Sequence, residues 1–248
     1  RYDITISPLH ILLGEEEFLD GVDITPDEIY KWSDEHKTTP KTSAVSIEDV
    51  MKAAEPYLDQ GDEIISFSIS DDMSTSGNVM HMAAAELEAE DRFHVINSAN
   101  LSTGIGLLVI EAAIMAKEGK ASEEIITKIE ELKPLVRASF VVDTLTYLYR
   151  GGRCSGLAAL AGGALKLHPQ IIVVDGAMKP AKKYRGNMLH VTLDYVKDME
   201  KAMLNSHKDR VFITHSGSDP KVVQEVYDYL EGLHYFDEIC ITRAGGVV

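Results

Sequence analysis

Glu63-Ile64-Ile65-Ser66-Phe67-Ser68-Ile69-Ser70-Asp71-Asp72-Met73-Ser74-Thr75-Ser76-Gly77-Asn78 is the stretch on which the fold turns. Its first seven residues are β-rich and largely apolar without strict alternation, which predicts a short strand buried on both faces. From Asn78 to Glu90, Val79, Met82, Ala83 and Leu87 recur along one stripe at helical spacing, which predicts a helix. Between strand and helix the chain is dense in hydroxyls, from Ser68 to Ser76.

The same succession occurs twice more, at Thr42-Ser43-Ala44-Val45-Ser46 and from Ser98 to Thr103. In an open parallel sheet the loops at the carboxyl ends of the strands gather on one edge and aim helix N-termini at a ligand. Three hydroxyl clusters in such loops predict one crevice, a neutral, donor-rich cradle for a small anion.

Neighbouring segments fit this plan. Thr25-Pro26-Asp27-Glu28 reads as a capping box with proline at the first helical position and Ile24 and Ile29 as a hydrophobic staple. Ser46 to Asp49 repeats the pattern with Val45 and Val50, so Ser46 caps its helix and leaves the Thr42 and Ser43 hydroxyls free. Strands are expected at residues 4–13, with a turn and return strand at 14–21, and at 93–96. Helices are expected at 104–117, ending at Gly119, and at 122–132, closed by Pro134. Alternating strands and helices of this length indicate βαβ units.

After Pro134 a strand at 138–142 and a short helix at 144–150 lead to the basic break Gly151-Gly152-Arg153. A small-residue helix from Leu157 follows. Residues 170–174 and 178–183 then form a hairpin about Asp175-Gly176. Helix 189–204, strand 211–214, helix 220–232 and strand 238–242 complete the pattern. The expectation is an α/β protein of two domains. Residues 1–134 carry a mainly parallel sheet flanked by helices, and residues 135–248 carry a mixed sheet with helices. A first strand and a C-terminal segment are expected beyond the two ends.

Composition narrows the chemistry. Forty acidic against 24 basic residues give a net charge of −16, which disfavours nucleic acid and anionic membrane surfaces as partners. Cys154 and Cys240 fall in no CxxC or metal pattern, so a reducing cytoplasm is expected. No signal peptide is expected, and the sequence has no apolar run of the ~18 residues a membrane span requires. No GxxxxGK run exists, Gly104-Ile105-Gly106 lacks the third glycine of a dinucleotide loop, and no GxSxG elbow is present. His81, His207 and His215 lack zinc spacing, so neither metal nor cofactor is expected.

Ser76-Gly77 is the sharpest candidate, because glycine at a helix mouth lets an atom approach the backbone closely and Ser76 adds a hydroxyl donor. Against that, Ser74, Thr75 or Ser76 could serve only as a helix cap, and capping is the expected role of Ser98 and Ser102. Arg150 and Arg153 form the densest basic spot. They suit either an anionic group or the end of a helix.

Taken in order and spacing, a set of motifs resembles the DegV family of bacterial fatty-acid-binding proteins, the binding subunits of fatty acid kinase. The set comprises Asp20-Gly21-Val22-Asp23-Ile24, Pro40-Lys41-Thr42-Ser43 with Ser46, Ser76-Gly77, His94 to Ser98, Gly104 to Ala113, Val142 to Leu145, Arg150 to Arg153, and Val174-Asp175-Gly176. The resemblance runs almost end to end. It implies two α/β domains that bury a long-chain fatty acid between them, with the carboxylate held by Thr42 and Ser76, flanked by Ser43 and Gly77. Ser74, Ser98 and His215 are further candidates for the pocket or headgroup. A separate kinase subunit would phosphorylate the carboxylate to an acyl phosphate for phospholipid synthesis, and Arg150 and Arg153 would lie in the partner-contact region. On this reading the chain is not itself an enzyme.

This sequence departs from the family pattern. It lacks the opening strand with its Asp-Ser-Thr loop and the closing loop whose histidine approaches the carboxylate. Ala44-Val45 replaces Gln-Pro, and Asn78 stands where threonine is common. Two other readings stay open. One is a serine-dependent acyl hydrolase or acyltransferase using Ser76 or Ser98 with His215, or a histidine outside this sequence, as base. The other is an anion-binding regulatory module.

Overall fold

The structure is a computed structural model that describes residues 2–145, 147–148 and 167–247. Strands β1 (His10–Leu13), β2 (Glu16–Leu19) and β3 (Lys41–Ser43) pair antiparallel in the order β2-β1-β3. Between β2 and β3 runs α1 (Pro26–His36), opened by the expected capping box, in which Glu28 N–H donates to Thr25 Oγ1 and Thr25 N–H to the Glu28 carboxylate. Helix α2 (Ile47–Leu58) opens the same way with Ser46 and Asp49. Of the strand expected over residues 4–13 only the last four residues form. Pro8 cannot donate to a ladder, and Ile6 before it is 79% exposed.

Strands β4 (Ile64–Ser68) and β5 (Phe93–Asn97) are parallel and joined by α3 (Ser76–Glu86), a βαβ unit. Alternation sends Phe93, Val95 and Ile64 into a core with Val50, Ala54, Ala83 and Ala84, whereas Ile65, Phe67 and Ile96 meet Leu108, Ile125 and Ile129. The second group lies on α4 (Ser102–Lys117) and α5 (Ser122–Leu132), so helices cover both faces of the pair. That explains a strand sequence without polar alternation. Helix α3 starts two residues earlier than expected and ends at Glu86. There Glu88 takes a left-handed φ of 50° and Ala89 N–H bonds to Ala84 O.

Beyond Pro134, β6 (Ser139–Val141), β7 (Leu167–Val174) and β8 (Ala177–Arg185) form an antiparallel sheet. The hairpin turns on Asp175 and Gly176, both at positive φ (53° and 77°), the geometry of a type I′ turn. Helix α6 (Met188–Met203) leads to a second parallel unit, β9 (Val211–His215), α7 (Pro220–Gly232) and β10 (Ile239–Arg243). The α/β class holds. Pairing directions are segregated, with parallel contacts in β4–β5 and β9–β10 and antiparallel ones in the other two sheets.

Residues far apart in sequence tie these units together. Gly246 and Val247 donate their N–H groups to the Asp20 carboxylate at 2.8 and 3.1 Å, and Arg243 forms a two-pronged bond with Asp27. Tyr30 bonds Ser216, and Thr103 meets Thr214 at 2.7 Å. No helix among the described residues is long and apolar enough to cross a membrane.

Candidate functional site

Two of the three hydroxyl clusters meet at the carboxyl ends of β4 and β5. Ser98 N–H donates to Ser68 O (3.2 Å), Ser70 N–H to Asn100 O (2.9 Å), and Asn97 Nδ2 to Asp71 Oδ2 (2.8 Å). A tight turn follows, with the N–H groups of Met73 and Ser74 both bonded to Ser70 O. It delivers Ser76 to the first position of α3, where Ser76 is only 2% exposed.

The start of α3 has no side-chain cap. Thr75 occupies the N-cap position without bonding any helix amide, and the first backbone bond of the helix runs from Val79 N–H to Thr75 O. Ser74 Oγ accepts from Ser76 N–H at 3.2 Å and pairs with Ser76 Oγ at 2.9 Å. The next amides, of Gly77 and Asn78, belong to the first turn, whose N–H groups have no acceptor within a helix. A hydroxyl pair, Ser76 buried and Ser74 half-buried, thus borders free amides at the positive end of a helix dipole, a setting suited to a carboxylate. Helix α4 likewise begins without a side-chain cap, at Leu101.

Gly77 is required for a different reason from the one expected. A methyl group there would lie 2.5 Å from Asp71 Oδ1 and 3.0 Å from Ser68 Oγ, so the atoms that approach its backbone are the protein's own. Asp71 also means that the corner is not lined by neutral groups alone. The tip of the β7–β8 hairpin closes on the same loop. A methyl group on Gly176 would come within 2.6 Å of Ser70 Oγ and 3.1 Å of Asp72 Oδ2.

The remaining candidates are dispersed. Thr42 and Ser43 are exposed on β3, opposite Ile11 and His10, and no hydrogen bond links them to Ser76. Val45, just beyond them, shares a core with Met80 and Ala83 of α3, so both loops stand on one apolar support. His10 bridges Glu17 (2.7 Å) and Asp49 (2.8 Å), fixing the start of α2 beneath that strand. Burial pulls the His10 pKa down, but the two carboxylates prevail and raise it above its ordinary value. Ser98 is fully buried and holds a turn, accepting from Asn100 N–H; neither it nor Ser102 caps α4, contrary to expectation. His215 ends β9 with Nδ1 buried and unbonded. Arg150 and Arg153 lie outside the described residues.

No hydrogen bond among the described residues joins Ser76 or Ser98 to a histidine. No cluster of three or more His, Cys, Asp or Glu among the described residues could hold a metal ion. A surface groove between α2 and α3 is lined by Ile47, Met51, Lys52 and three carboxylates, Glu48, Glu55 and Glu86, a net acidic lining that suits an acid headgroup poorly. Sequence reasoning passed over three participants. Along the chain Ser68 and Asp71 read only as members of the hydroxyl cluster, and Gly176 only as a turn residue; no local signal gave their approach to Gly77 and Ser70.

A family model described as "Uncharacterised protein, DegV family" matches residues 1–248. A DegV domain-containing protein of Caldanaerobacter subterraneus subsp. tengcongensis is 35% identical over 199 residues, 79% of this chain and 70% of the relative. Among solved structures, a DegV family protein from Thermus thermophilus, described for its fatty acid binding, matches with a TM-score of 0.85 at 27% identity. The match covers 97% of this chain and 85% of that one. The Streptococcus pneumoniae Fatty Acid Kinase (Fak) B3 protein, loaded with linoleic acid, shares the fold with a TM-score of 0.84 at 21% identity, covering 97% and 84%.

Proposed function

This chain belongs to the DegV family, and from that premise we propose that it binds a long-chain fatty acid and presents the carboxylate to a separate kinase subunit. The observation that carries the reading is Ser76, buried and paired with the half-buried Ser74 at a helix start whose N-cap residue, Thr75, bonds no helix amide. Ser76 and the amides of Gly77 and Asn78 hold one side of the carboxylate, and Thr42 with Ser43 closes the other. The acyl chain lies between two units divided near residue 135. The fatty acid binding described for the Thermus thermophilus neighbour supports this assignment, and the fold shared with the Fak B3 protein supports the kinase partnership. Arg150 and Arg153 are the proposed contact with that partner, and the cytoplasm the proposed location.

The energetics fit a weakly polar headgroup site. Each buried methylene contributes about 0.8 kcal/mol, so a chain of ~16 carbons supplies ~12 kcal/mol before ordering costs. Hydroxyls and helix amides need only satisfy the acid, without a buried arginine whose desolvation would be costly. Native mass spectrometry of the purified protein, followed by lipid extraction, tests the proposal. A bound acyl species released on denaturation is expected. Absence of any such species, together with no uptake of added fatty acid, would rule the reading out.

A further inference from the structure

Alternation along β4 turns Ile65 and Phe67 toward α4 and α5, so Ser66 and Ser68 face α3. Ser66 finds a partner there, its Oγ donating to Met80 Sδ at 3.2 Å. Ser68 meets Gly77, which has no side chain to offer. Its Oγ lies 3.0 Å from where a Cβ of Gly77 would sit, the residue is 1% exposed, and Oγ has no hydrogen-bond partner among the described residues. Asp71 Oδ1 borders the same point without bonding it, and Asp71 Oδ2 is held by Asn97.

A buried hydroxyl left unbonded destabilises a fold, and alanine at the same place would avoid that cost. Its position beside the residue next to Ser76 gives the hydroxyl a use. We propose that Ser68 supplies a further donor to the acyl carboxyl group, making it a specificity-determining residue of the headgroup corner. This assignment rests on the fatty-acid reading above. It predicts that Ser68 discriminates an acid headgroup from an alcohol of equal chain length, while contributing nothing to the stability of the ligand-free protein.

The test titrates the full chain and its Ser68→Ala and Ser68→Cys variants with palmitate and with hexadecanol, and records ligand-free melting temperatures. Loss of one donor to a charged acceptor should weaken palmitate binding by roughly ten- to a hundredfold in Ser68→Ala, with hexadecanol little changed. Ser68→Cys, slightly larger and with a weaker donor, should also weaken palmitate binding more than hexadecanol binding. Ligand-free melting temperatures should hold or rise. Unchanged palmitate affinity, or equal weakening of both ligands, overturns the assignment while leaving fatty-acid binding intact. A wild-type chain that takes up no palmitate overturns the fatty-acid reading itself, and this assignment with it.

Discussion

Helices α1 and α2 begin with complete capping boxes, Thr25 with Glu28 and Ser46 with Asp49, whereas α3 and α4 begin at Thr75 and Leu101 with no side-chain cap. The first two starts satisfy their amides locally. The other two follow strands of the parallel pair, on the sheet edge where the hydroxyl clusters meet. A serine or threonine near a helix start can therefore do two jobs. In Ser46 the hydroxyl is consumed by the helix, and in Ser76 it pairs with another hydroxyl, leaving the helix end open to an outside acid.

The sharpest way to break this contrast is to remove hydroxyls from the open side. Thr42→Val combined with Ser76→Ala should lower fatty-acid affinity by a hundredfold or more, at ~1.5–3 kcal/mol per lost bond to a charged acceptor. Titration should show this with little change in melting temperature, because neither residue caps a helix. A large loss of stability with unchanged affinity would reverse the roles assigned here.

Next comes the packing that holds the open starts in place. In Gly104→Ala the new methyl would lie 2.1 Å from Asn100 Oδ1, which accepts from Leu101 N–H in a buried turn. Overpacking of this kind should cost about 1–3 kcal/mol in chemical denaturation. On the closed side, Ser46→Ala should cost about 1 kcal/mol of stability and leave the binding of acyl ligand by folded protein near the wild-type level.

The smallest effect is a pH slope. His10 has a folded-state pKa above its ordinary 6.5, so its stabilisation is complete below that value and is lost as pH rises through the raised one. Melting temperatures followed from about pH 5.5 to about pH 8.5 should carry this slope, and His10→Gln should flatten it.

Much of this could be read along the chain because the interactions are short in sequence. Both capping boxes span four residues, the βαβ unit follows from apolar periodicity, and Asp175-Gly176 names its own turn. Ser76 stood out for the same reason. The approach of Asp71 and Ser68 to Gly77, the hairpin tip on Ser70, and the bonds of Tyr30 to Ser216 and Asp20 to Gly246 could not be read this way. They join segments whose separation closes only after the sheets pack.

Residue order alone determined the elements, the helix starts that cap themselves, and the hydroxyl-rich loops available for an acid. Propensity, capping and turn geometry act within a few residues, and each is written locally. Tertiary structure decided which hydroxyl remains unspent, since Ser68 goes without a partner only because packing sets β4 against the bare backbone of Gly77 on α3.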